Sequence, residues 1–160
     1  MPATDFTPTS ASHATATPAG SANGRRMWAV GLAAGVVSSL VVIAVVAIAE
    51  AADVPMEVAE NATTQPEQIP LLGYAMVILG STIVGLLLAT AFARWARRPR
   101  LVFVIVALVL TAVSFLFPAT TTATTATKVV LDVTHAIPAA LIIPAIAVHL
   151  PSRRVRGTTV

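Results

Sequence analysis

Asp132 and His135 lie three residues apart inside the last apolar run of the chain, with Lys128 one helical turn before Asp132. In a helix that spacing puts carboxyl and imidazole on one face. An imidazole beside a carboxylate can change charge at physiological pH, so His135 oriented by Asp132 is a candidate proton acceptor. Glu50 and Asp53, at the end of the first apolar run, would complete an acidic pocket with them if the first and fourth helices are neighbours. His135, Asp132 and Glu50 would then offer three ligands to a divalent cation, but two ligands at helical spacing do not define a metal site, and no cofactor is assigned. The competing reading is structural. A charged group at the centre of a bilayer costs at least about 2.5 kcal/mol, whereas near the surface Lys128, Asp132 and His135 can pair, snorkel and anchor the helix at a fixed depth.

Pro138 and Pro144 follow in the same run. Each removes a backbone hydrogen bond and is expected to kink the helix, freeing carbonyls that line a polar cavity beside His135 or are satisfied by neighbouring helices. The chain has no cysteine, which excludes disulfides, thiolate metal sites and thiol catalysis. No glycine-rich phosphate loop, HExxH or GxSxG occurs, so no enzyme class is supported and a non-enzymatic role is expected.

The elements that must hold these residues follow from composition. Of 160 residues, 56% are hydrophobic and 11% charged, outside the range of soluble domains. The spacing predicts an all-α, integral membrane four-helix bundle with spans at about 27–49, 71–93, 101–117 and 129–150. Residues 1–24, rich in Ala, Thr, Ser and Pro, read as a disordered cytoplasmic tail; 25–151 form the membrane domain; 152–160 are a basic cytoplasmic tail. The third span, Leu101 to Phe117, is at the lower limit for crossing and is expected to stand upright or to extend beyond Pro118. Pro70 sits where the second span should start, a position in which its missing N–H is no loss.

Basic residues are retained on the cytoplasmic side. Arg25 and Arg26 precede the first span; Arg94, Arg97, Arg98 and Arg100 join the second to the third; Arg153, Arg154 and Arg156 follow the fourth. Lys128 alone falls on the other side, so both termini are expected inside. The four arginines of the middle turn are the expected contact for anionic lipid headgroups, and the pI near 10.6 reads as topology rather than nucleic-acid binding. Nine arginines against one lysine, with abundant alanine, suggest a GC-rich bacterial genome and hence a bacterial plasma membrane. Ala47-Ile48-Ala49 resembles a signal-peptidase site, but the apolar run before it is longer than a secretory one and retention of the span is expected.

Small residues four apart mark where membrane helices approach closely. Gly31, Gly35 and Ser39 form one such stripe, and Ser81, Gly85, Ala89 and Ala93 another, with Gly73 and Gly80 nearby. Either they pack the four helices of one monomer or they join copies in a homo-oligomer. Trp28, Trp95 and Tyr74 fall near span ends, as interfacial aromatics do; Asn61-Ala62-Thr63 fits a glycosylation sequon.

The fourth span, Leu131-Asp132-Val133-Thr134-His135-Ala136-Ile137-Pro138 running on to Ile143-Pro144, resembles a family of small four-span actinobacterial membrane proteins of unknown function. The resemblance covers roughly residues 25–150, singles out His135 and Pro144, and implies no activity. Two functions from different classes remain. One is a membrane scaffold or accessory subunit that packs with other membrane helices; the other is a small proton-coupled transporter or channel using Asp132 and His135.

Overall fold

Long apolar runs can satisfy their backbone polar groups in a bilayer only within themselves, so they form helices. The computed structural model describes residues 19–58, 65, 67–116, 120 and 123–152. Among these residues are four helices: α1 (Ala19–Ala51), α2 (Leu71–Trp95), α3 (Pro99–Ser114) and α4 (Thr125–Ala147). A short antiparallel ribbon, β1 (Glu57–Val58) with β2 (Glu67–Gln68), lies between α1 and α2, so the polar loop expected there carries structure of its own. The residues of the sequon, most of the N-terminal tail and the last three arginines lie outside the described residues.

Three helices, α1, α2 and α4, are long and apolar enough to cross a membrane. The third, Pro99–Ser114, is not among them, and the expected extension beyond Pro118 falls largely outside the described residues. Its 16 residues rise about 24 Å against a hydrocarbon core of about 30 Å. It starts two residues before Leu101, with Pro99 in the first helical turn. It stops at Ser114, where the Ser114 hydroxyl donates to Thr111 O at 2.7 Å and competes with the Phe115 N–H for that carbonyl, at 3.3 Å.

Other boundaries also moved. The helix α1 takes residues 19–24 from the expected tail, because extending a formed helix avoids the cost of nucleating a new one. Pro70 caps α2 as expected, with an extended backbone that hands over to the helix at Leu71. The fourth helix starts at Thr125, four residues before the apolar run, because Thr124 caps it by accepting from Thr127 N at 3.2 Å. Thr127 in turn donates its hydroxyl to Pro55 O at 2.7 Å, which ties the start of α4 to the connection after α1. Having one proton, Thr127 then accepts from the Thr124 hydroxyl, 2.7 Å away.

The first helix packs along both α2 and α4, while α3 lies against the same two helices and the contact between α2 and α4 is slighter than any of these. The notches for α1 are its glycines. A Cβ on Gly31 would stand 2.7 Å from Leu86 Cδ2, and one on Gly35 would stand 2.7 Å from Thr82 Oγ1. Leu86 and Thr82 are one turn apart on α2, so two successive knobs enter two successive gaps. The Thr82 hydroxyl is returned to Ile78 O at 2.7 Å, and Ser39 donates to Gly35 O at 2.9 Å. The second stripe does not meet the first. Gly85 faces Ile146 of α4, Ala89 is buried, and Ser81 is exposed.

Two apolar clusters flank this contact. One, at the Trp95 end, joins Met27, Leu86, Phe103 and Ile146; the other, at the ribbon end, joins Val46, Met56, Tyr74 and Leu131. Only the first contains a residue of α3.

Overpacking a close helix contact typically costs about 1–3 kcal/mol. Gly35→Ala is therefore expected to lower the thermal unfolding midpoint in detergent, because Thr82 is β-branched and hydrogen-bonded and cannot yield. Gly80→Ala, with nothing within 4 Å, is expected to match or exceed wild type through a helix-propensity gain of roughly 0.5–1 kcal/mol. A Gly35→Ala midpoint at wild-type level would mean that α1 and α2 do not approach at this residue.

Candidate functional site

The imidazole of His135 turns back along its own helix. Its Nδ1 lies 2.7 Å from Leu131 O, and since a carbonyl only accepts, Nδ1 carries the proton and donates. The Thr134 hydroxyl donates to the same carbonyl, also at 2.7 Å. Asp132 and Lys128 are half-buried, and neither side chain makes a hydrogen bond or ion pair with a described residue. The spacing of Asp132 and His135 puts both on α4, but a backbone carbonyl, not the carboxylate, orients the ring. His149 does the same just past the end of α4, with Nδ1 2.9 Å from Ala145 O.

His135 sits inside the bundle. Leu131, one turn before it, packs with Tyr74 and Ile78 in the first two turns of α2. Its ring is 6.0 Å from that of Phe115, at 45°, so the end of α3 reaches the same level.

Glu50 and Asp53 take other roles. The condition that α1 and α4 be neighbours is met, yet Glu50 accepts from Gln68 Nε2 at 3.5 Å, across to β2. Asp53 is exposed and adopts φ 57°, the left-handed conformation that short polar residues tolerate better than others. Its N–H bonds Glu50 O and the Val54 N–H bonds Ala49 O, both at 3.0 Å, which is the hydrogen-bond pattern that closes a helix C-terminus. Asp53 is the residue that ends α1. Among the described residues no three His, Asp or Glu side chains come together, so the cation reading of His135, Asp132 and Glu50 loses its geometry.

What the helices do enclose is a groove of about 880 Å³ between α2, α3 and α4. It exists because α1 holds α2 and α4 while α3 lies against both. Ser81, Thr82, Thr111, Ser114, Thr134 and His135 supply polar groups to its wall, and Pro138 lines it as well. The hydroxyls of Thr82, Thr111, Ser114 and Thr134 all donate to carbonyls of their own helices, at 2.7–2.8 Å. α4 runs unbroken through Pro138 and Pro144. In an apolar run, no periodicity distinguishes a serine or threonine facing a groove from one facing lipid, and these four hydroxyls were not singled out from the sequence.

At the far end, Arg94, Arg97, Arg98 and Arg100 are all exposed. Trp95 beside them is 81% exposed, as an interfacial residue would be. Trp28 instead links α1 to α2, its Nε1 donating to Thr90 Oγ1 at 3.3 Å. Tyr74 departs from the interfacial reading: it is buried, and its hydroxyl, like that of Ser38, has no hydrogen-bond partner in the structure.

A protein-family model described as a family of unknown function, DUF6069, matches residues 22–152, most of the chain. No curated protein and no solved structure matches.

Two substitutions separate the roles of the acidic residues. Asp132→Asn is expected to leave the imidazole ¹⁵N resonances of His135 in their protonated-Nδ1 pattern; a switch of tautomer would show that the carboxylate orients the ring after all. Asp53→Gly should hold or raise the thermal midpoint, by up to about 1 kcal/mol, because glycine relieves the left-handed backbone. Marked destabilisation would contradict the capping role.

Proposed function

Because the chain belongs to the DUF6069 family of unknown function, which supplies no activity to transfer, we propose its role from its own surfaces: a non-enzymatic, multi-pass protein of the bacterial plasma membrane, acting as a scaffold or accessory subunit. The observation that carries this reading is the outward face of the bundle. Val36, Val37 and Leu40 on α1, Met76 and Val77 on α2, and Leu108 and Val109 on α3 all stand exposed, and even the most enclosed helix window is only 33% buried. Such faces suit lipid and other membrane helices equally, and a scaffold uses both.

In this reading all four helices cross, with both termini in the cytoplasm. The short α3 crosses nearly upright, the bilayer thinning locally to meet it. The exposed arginines of the α2–α3 turn then meet anionic headgroups, a sequence-independent attraction of about 1 kcal/mol per residue near the surface. The glycines Gly31 and Gly35 are occupied by α2, so a homo-oligomer or a membrane-protein partner would use the outer faces instead. The alternative of a proton-coupled transporter needs polar groups that pass a proton from helix to helix. Here Thr82, Thr111 and Thr134 donate within their own helices and His135 is bonded to its own backbone, which supports the scaffold over the transporter.

Since the chain has no native cysteine, single cysteines report topology cleanly. With a membrane-impermeant maleimide on intact cells, Gln65→Cys and Ala126→Cys are expected to label and Ala96→Cys to label only after permeabilisation. Labelling of Ala96→Cys from outside, or protection of Ala126→Cys, would refute the four-crossing arrangement. A photoreactive amino acid at Leu40 or Leu108 is expected to give a discrete protein adduct in native membranes. Adducts with lipid alone at both would remove the scaffold role.

A further inference from the structure

We propose that the groove between α2, α3 and α4 binds one small lipid-soluble molecule carrying a hydroxyl group, with that hydroxyl donating to Nε2 of His135. The inference uses the membrane setting proposed above but not the scaffold role.

Volume decides against a protein occupant. A helix about 10 Å across would fill 880 Å³ within about 11 Å of its length, roughly two turns, which is far short of a crossing. The same volume lies within the roughly 300–1,000 Å³ of small-molecule sites. The walls are mainly apolar: Leu88 on α2, Phe103 and Leu110 on α3 and Ile143 on α4 line the groove, so the body of the ligand is hydrocarbon.

Hydrogen-bond chemistry then selects the head group. Because Nδ1 donates to Leu131 O, neutral His135 presents a lone pair at Nε2. That nitrogen makes no hydrogen bond to a described residue, and it is not sealed in the packing, since the buried side-chain atoms without a partner are the hydroxyls of Ser38 and Tyr74. The site therefore calls for a donor. Thr82, Thr111, Ser114 and Thr134 have already spent their protons on their own helices, which leaves Ser81 and the Tyr74 hydroxyl as the lining donors for any second, accepting group of the ligand. A phosphate would need cations, and the arginines lie outside the groove at the α2–α3 turn. An ammonium would carry a full charge into an apolar wall, at a far larger cost than a neutral hydroxyl. An alcohol meets each condition: one proton to give, no charge, and a hydrocarbon tail for the end of the groove lined by Phe103 and Leu88.

The test uses the full chain in detergent micelles, ¹⁵N-labelled at histidine, with 1-hexadecanol and hexadecyl methyl ether as probes. These differ only in the O–H proton. Hexadecanol is expected to bind saturably, to move the Nε2 resonance of His135 and to bind roughly three- to tenfold more tightly than the ether, the worth of one neutral hydrogen bond. His135→Phe keeps a ring in place and should erase that preference, while Gly85→Leu, which fills the groove, should weaken both probes. Equal binding of alcohol and ether by wild type, an unmoved Nε2 resonance, or a preference that persists in His135→Phe would each overturn the proposal. Should His135→Phe fail to fold, the comparison of the two probes on wild type decides alone. Failure here leaves the cysteine topology results untouched, so the two readings fall separately.

Discussion

The bundle depends on how closely α1 can approach its neighbours. The proposed bilayer setting leaves no water to expel from between helices, so contact area and fit hold them together. Gly31 and Gly35 remove two side chains in successive turns, and Leu86 and Thr82 fill the space. With α2 fixed against α1, Ile146 reaches Gly31 from α4, and the three long helices share one seam. The short helix is a later addition to that seam. It joins the core through Phe103 near its first turn and leaves a groove over the rest of its length.

Much of this was legible in the residues. Apolar run length and the arginines gave the helices and their order, Pro70 marked a helix start, and Gly31 and Gly35 were recognisable as places of close approach. Which helix would fill those gaps was not legible, because a small-residue stripe shows that something comes near without saying what. The ends of the helices were misjudged where hydrogen bonding, rather than hydropathy, decides them. Thr124 starts α4 before its apolar run begins, and Ser114 accompanies the end of α3 while the run continues. Asp53 read as a member of an acidic pocket, since residue type carries no sign of a left-handed backbone.

The polar residues of the fourth span show a similar division. Their spacing put Asp132 and His135 on one helix face, and that much follows from any helix. Spacing does not disclose that a backbone carbonyl one turn away is a nearer partner for an imidazole than a carboxylate three residues back. The consequence is a ring of fixed tautomer with one nitrogen committed to the backbone. The groove beside it was invisible in the sequence because it is a property of three helices at once, made by the poor contact between α2 and α4.

The pairing of α1 with α4 has a consequence for biogenesis. Among the described residues these are the first and last helices, and the Thr127 hydroxyl reaches back 72 residues to Pro55. During synthesis the side of α1 that receives α4 stays open while α2 and α3 are made, until α4 follows them. Closure of that flank therefore waits for α4 to be made. A product cut short before α4 keeps the α1–α2 seam yet displays an unfilled apolar flank, the kind of surface through which incomplete chains aggregate.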